Sequence, residues 1–165
     1  MSVITIINDS NQITTNKPFI TLMRQIKGGL FRNSVGAYRH EGDQDKQKEQ
    51  LEHIPSFLPT GCFRMQSKML FLTDYSQIVQ LDLEDIEPED MDQIFKTICQ
   101  DQFTYVCFRD VRGTGLKLFV LITNDNHIQQ PDFFEAVKSH YRRRLRIRIP
   151  DDGASIHHRC KVSYD

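Results

Sequence analysis

Apolar residues recur along this chain in two rhythms, and the switches between them mark its elements. Alternating or continuous apolar runs at residues 3–7 (VITII), 69–73, 77–84, 103–109 (FTYVCFR) and 116–122 (LKLFVLI) predict strands. Helical spacing appears at Phe19, Leu22, Met23 and Ile26, between Pro18 and Gly28-Gly29, the order in which proline opens a helix and glycine closes one. It returns at Met91, Ile94, Phe95 and Ile98, behind Glu87-Pro88-Glu89-Asp90, whose acids suit the positive end of a helix dipole. A further helix is predicted over 131–143, with Phe133, Phe134, Val137 and Tyr141 facing inward. Residues 43–53 are charged and poorly amphipathic, which predicts an exposed helix. Turn residues cluster at 8–11, 57–61 and 110–115. Residues 144–149 (RLRIRI) alternate strictly, predicting a strand with Arg144, Arg146 and Arg148 outward, and residues 159–164 predict a last strand. Strand hairpins punctuated by helices make this an α+β chain: a largely antiparallel sheet with helices packed on it.

The length of 165 residues suits one domain with its own core, and 39% hydrophobic content places it among globular chains. No apolar run approaches the roughly 20 residues that span a bilayer, and the N-terminus lacks the basic start and apolar stretch of a signal peptide. The expected location is therefore the cytoplasm, with no membrane partner. Cys62, Cys99, Cys107 and Cys160 show no metal spacing with one another or with the histidines, so reduced thiols are expected and zinc is not. The net charge of −1 hides an asymmetry: residues 1–102 sum to −5 and residues 103–165 to +4. That fits a metal site beside a polyanion-binding face, and fits an idle dipolar surface as well. The chain is expected to be one domain, residues 1–165, from the N-terminal part of a longer protein.

Four segments carry candidate chemistry. Along 79–84 (VQLDLE), Gln80, Asp82 and Glu84 share one strand face, backed by Val79, Leu81 and Leu83. Two carboxylates about 6–7 Å apart are a seat for Mg²⁺ or Mn²⁺, or simply the solvated side of a half-buried strand. Arg112-Gly113-Thr114-Gly115-Leu116-Lys117 is either a phosphate-facing turn with a lysine beside it or a plain hairpin; it has neither Walker spacing nor a helix behind it. The arginines of 142–148 suit a phosphodiester backbone, or keep an edge strand soluble. Asp151-Asp152 and His157-His158-Arg159 offer a third carboxylate or a turn. No nucleophile-and-base arrangement stands out.

The phrases IVQLDLEDI, FTYVCFRDVRGTGLKLFVLI and RIRIPDDGASIHHRCKVSYD, with VGAYRHEGDQDKQKEQLEHIPSFLPTGCFR upstream, resemble one family in their order and spacing. They look like the primase-like N-terminal domain of virulence-associated E proteins of bacterial mobile elements, which is similar to archaeo-eukaryotic primase-polymerases. The resemblance covers most of residues 20–165. It implies an RRM-like sheet, a metal pair Asp82 and Glu84 completed by Asp151 (or Asp165), and Mg²⁺ or Mn²⁺ as cofactor. It implies triphosphate contacts from Gly113, Thr114, Gly115 and Lys117, and a family arginine at Arg159. Lys117 stands where active members usually carry histidine, and Arg112 where a serine is frequent. The implied function is nucleotidyl transfer in mobile-element DNA replication, on a single-stranded DNA template tracked by Arg144, Arg146 and Arg148. A helicase-like ATPase domain in the same full-length protein is the expected partner. The alternative is a non-catalytic DNA- or nucleotide-binding domain of the same fold.

Overall fold

The computed structural model describes residues 2–8 and 12–164. Its elements, in chain order, are β1 (Val3–Ile7), β2 (Ile13–Pro18), α1 (Phe19–Lys27), α2 (Arg32–His40), α3 (Gln44–His53), β3 (Ser56–Leu58), β4 (Gly61–Gln66), β5 (Met69–Tyr75), β6 (Ile78–Leu83), α4 (Pro88–Cys99), β7 (Thr104–Arg109), β8 (Leu116–Leu121), α5 (Gln130–Leu145) and β9 (Cys160–Lys161). The strands pair antiparallel throughout. They form a four-stranded sheet in the order β2-β1-β3-β9, a β4–β5 hairpin and a three-stranded sheet in the order β6-β8-β7. The α+β class with a largely antiparallel sheet is thus observed. No helix among the described residues is long and apolar enough to cross a membrane.

The three-stranded sheet is covered on both faces, which explains its dense apolar content. Side chains alternate across a strand, and here each set reaches a different core. Ile78, Phe108 and Phe119 join Phe19, Leu22 and Ile26 of α1, Ile4 of β1 and Phe57 of β3. Val79, Leu81, Leu83, Leu116, Leu118 and Val120 join Met91 and Ile98 of α4 and Phe134 and Tyr141 of α5. Phe119 sits at the middle of the first core, edge-on to Phe19 at 5.3 Å and stacked on Phe108 at 5.6 Å. Its burial is worth about 3 kcal/mol. A small third core of Ile7, Leu58 and Phe63, with Ile13, Leu70 and Leu72, seats one face of the β4–β5 hairpin.

Most predicted elements are present, and the departures have identifiable causes. α2 lacks a predictive pattern because only Val35 and Tyr38 of its nine residues are buried. α3 is the exposed helix expected, with no buried residue; Asp43 caps it by accepting from the Asp45 and Lys46 N–H groups. The turn expected over 57–61 is partly strand, because Ser56–Leu58 fills the gap between β1 and β9. The strand expected over 144–149 does not form: α5 continues to Leu145, and Arg146 ends it in the left-handed region at φ 57°. Leu145 lies one turn beyond Tyr141, so both pack into the second core, and three arginines in the last turn suit the negative end of the dipole. Residues 146–150 form neither helix nor strand, although Ile147 and Ile149 still pack into the second core, so the alternation there reports burial without strand pairing. The last strand shortens to Cys160–Lys161. Of the turn predicted at 8–11, residues 9–11 lie outside the described residues.

Candidate functional site at one end of the three-stranded sheet

β6 and β8 pair with Asp82 directly opposite Lys117, so residues 35 positions apart meet on one sheet face. Lys117 Nζ lies 2.7 Å from Asp82 Oδ2. His158 Nε2 lies 2.9 Å from the same oxygen, and Gln80 Nε2 donates to Oδ1 at 2.6 Å. The side chains of Asp82 and Lys117 are only 10% and 14% exposed. Burial alone raises the Asp82 pKa, but the His158 hydrogen bond and the Lys117 charge more than reverse it, to about 2. Burial alone lowers that of Lys117; the charge and hydrogen bond of the neighbouring Asp82 carboxylate raise it, and the net shift is upward. Burial pushes the Cys160 thiol up strongly, so it stays protonated, and the Asp82 carboxylate is the charge that matters to Lys117.

The strand face carrying Gln80, Asp82 and Glu84 is therefore not a uniform solvated acidic surface. Gln80 is fully buried, and its Oε1 has no hydrogen-bond partner. Glu84, just past the end of β6, is 43% exposed and sits 3.3 Å from Arg112 Nη2. A hollow of about 560 Å³ opens beside Glu84, and Arg148 and Asp90 also line it.

The glycine turn takes a form that the sequence did not reveal. Asp110 is 3% exposed, and its Oδ1 accepts from the Gly113 N–H at 2.7 Å and the Gly115 N–H at 3.2 Å. Its Oδ2 meets Arg112 Nε at 3.3 Å. A carboxylate of the chain itself thus fills the place expected for a phosphate, much as an Asx turn does. Gly113 has φ 83°, and a Cβ on Gly115 would lie 2.4 Å from the Leu83 carbonyl oxygen. Both positions therefore need glycine. Thr114 is exposed, and its carbonyl accepts from the Ile86 N–H at 3.0 Å. Arg39 of α2 braces the turn from outside. It donates to the carbonyls of Asp110 and Val111 and to Ser163 Oγ, and lies 4.6 Å over the Tyr164 ring.

The other expected site residues lie elsewhere. Asp151 is 77% exposed and pairs with Lys138 of α5, so it does not join Asp82 and Glu84. Asp165 lies outside the described residues. Arg144 Nε reaches Asp101 at 3.2 Å, Arg146 caps α5, and Arg148 lines the hollow beside Glu84. These three arginines do not form one ridge on a strand. Arg159 is exposed, next in the chain to His158.

The described carboxylates do not fit a two-metal cage. Asp82, Glu84 and Asp151 are each paired with a cation of the chain, and no group of three His, Cys, Asp or Glu among the described residues is arranged to hold a metal. The residues that sequence reasoning missed are His158 as the Asp82 partner, Asp110 and Arg39. For Asp110 a signal existed: an aspartate placed before two glycines of a turn. For Arg39 and His158 the partners are remote in sequence and no local pattern points to them.

No curated protein and no solved structure gives a match. A family model does, over residues 47–165, which span β3 to β9 and include Asp82, the glycine turn and His158. The chain belongs to the family described as BT4734-like, N-terminal domain.

Proposed function

We propose that this is a primase-like domain, of the type found at the N-terminus of virulence-associated E proteins, that binds nucleoside triphosphate and single-stranded DNA during mobile-element replication. The observation that carries this reading is the meeting of Asp82 with Lys117 and His158 beside the glycine turn. Two segments that resemble primase-polymerase motifs are far apart in sequence and adjacent in space. Lys117, His158 and Arg112 are the groups a triphosphate would engage, Lys117 as a point charge and Arg112 through its planar fork. The domain works in the cytoplasm, next to a helicase-like ATPase domain of the full-length protein.

A second reading is metal-dependent nucleotidyl transfer. It is favoured by Asp82 and Glu84 lying on one face at the end of β6, with Asp82 ionised far below neutral pH. Mg²⁺ or Mn²⁺ would have to take Asp82 from Lys117 and Glu84 from Arg112.

One experiment separates the two. Binding of a labelled deoxynucleoside triphosphate is titrated in EDTA and in Mn²⁺, alongside template-directed incorporation. The first reading expects binding in EDTA that weakens about tenfold or more in Arg112→Gln, in line with a charged hydrogen bond worth about 1.5–3 kcal/mol. Absence of any binding in EDTA, with Mn²⁺-dependent incorporation that disappears in Asp82→Asn plus Glu84→Gln, would replace it by the second. No binding under either condition would refute both.

A further inference from the structure

The β4–β5 hairpin has one face seated on the third core, through Phe63, Leu70 and Leu72. Its other face is open to solvent. The register sets Arg64 opposite Phe71 and Gln66 opposite Met69, and all four are exposed. Met69 is 59% exposed and Phe71 40%. The ribbon turns through Ser67 and Lys68, both in the left-handed region at φ 49° and 66°, the geometry of a two-residue hairpin loop. Lys68 thus stands at the tip. The outer part of the hairpin carries Arg64 and Lys68, and its acid, Asp74, lies at the base opposite Cys62, within a chain of net charge −1.

An aromatic ring and a guanidinium side by side across a strand pair, about 5 Å apart, match the repeating unit of a single-stranded polynucleotide. The ring offers a stacking platform that every base can use, and the cation a phosphate contact. A protein interface fits less well. Met69 and Phe71 on this face, with Met65 exposed on the other, fall well short of the roughly 800 Å² per partner that a stable complex buries, and interface centres are depleted of charge.

We propose that this open face is a contact for single-stranded nucleic acid, with a base stacked on Phe71 and neighbouring phosphates held by Arg64 and Lys68. It rests on the proposed function only in taking nucleic acid as partner, since it lies on a different element from Asp82 and Lys117.

The test is fluorescence anisotropy of a labelled oligothymidylate against the whole chain, with triphosphate binding measured on the same preparations. Phe71→Leu keeps the site apolar and removes the ring, and is expected to weaken oligonucleotide binding about five- to a hundredfold. Phe71→Tyr should retain it. Arg64→Gln should reduce the slope of log affinity against log salt by roughly 0.7. Both side chains face solvent, so the fold should persist in each variant, as circular dichroism would confirm. Equal binding by wild type and Phe71→Leu, or no oligonucleotide binding at all, overturns the proposal. So does a self-association that Phe71→Leu abolishes. If triphosphate binds while the ribbon variants change nothing, this inference fails alone. If the ribbon variants weaken oligonucleotide binding and triphosphate never binds, the ribbon contact stands and the triphosphate reading fails.

Discussion

Replacing Lys117 by methionine removes a charge from the protein interior with little change in volume. At 2.7 Å the attraction between Lys117 and Asp82 amounts to about 6 kcal/mol with an effective dielectric constant near 20. Desolvation of both groups offsets much of that, yet deleting one partner strands the other, which costs about 3–5 kcal/mol. Asp82→Asn strands Lys117 in the same way. The double variant leaves neither charge, so its loss should fall short of the sum of the singles by about 2 kcal/mol or more. Urea unfolding is the assay, followed by far-UV circular dichroism because the chain has no tryptophan. The sign of the pH effect follows from Asp82. Its folded value, about 2, lies below the ordinary 3.8, so its contribution is complete above about pH 4–5 and is lost as pH falls towards 2. A shift of that size corresponds to about 2 kcal/mol. The stability gap between wild type and Lys117→Met should therefore narrow on acidification from about pH 6 to about pH 2. Singles that add to the double within about 0.5 kcal/mol, or a gap that ignores pH, would refute the reasoning.

Glycine positions make a paired prediction. Gly115→Ala would set a Cβ 2.4 Å from the Leu83 carbonyl oxygen, so it should cost more than about 2 kcal/mol and lower Tm by at least about 5 °C. Gly36 lies inside α2, and a Cβ there would meet nothing within 4 Å, so Gly36→Ala should add up to about 1 kcal/mol; thermal denaturation reads both. Asp151→Asn removes only an exposed partner of Lys138. It should change stability by less than about 1 kcal/mol and leave triphosphate affinity as in wild type, whereas a tenfold loss of affinity would return Asp151 to the site.

Periodicity located α1, α4 and β8 because each sets a regular row of side chains into a core, whereas β7, with only Phe108 buried, was found from its β-branched and aromatic content. Periodicity failed where burial was sparse, as in α2, and where inward residues alternate in a segment that pairs with no strand, as at residues 144–149. The polar face of β6 shows a different limit. Alternation correctly put Gln80, Asp82 and Glu84 on one side, but a strand's sequence does not tell what covers that side. Here Gln80 is buried outright, Asp82 is held against Lys117 and His158 and is 10% exposed, and Glu84 is 43% exposed. In the same way Lys117 was recognised as a candidate cation from its place after the glycine turn, while its partner was settled by the β6–β8 register. Arg39 reaches the turn from a helix 71 residues upstream, a distance across which no local pattern operates.

The alternation along β8 has a consequence for how the molecule opens. Leu118 and Phe119 are neighbours in the chain, yet they anchor separate apolar clusters on opposite sides of one layer. Neither half can loosen its contacts without pulling on a strand that the other half holds. The amide protons of residues 117–120 should consequently be the last to be replaced by deuterium, exchanging only when the whole molecule unfolds, while those of α3 exchange early and independently.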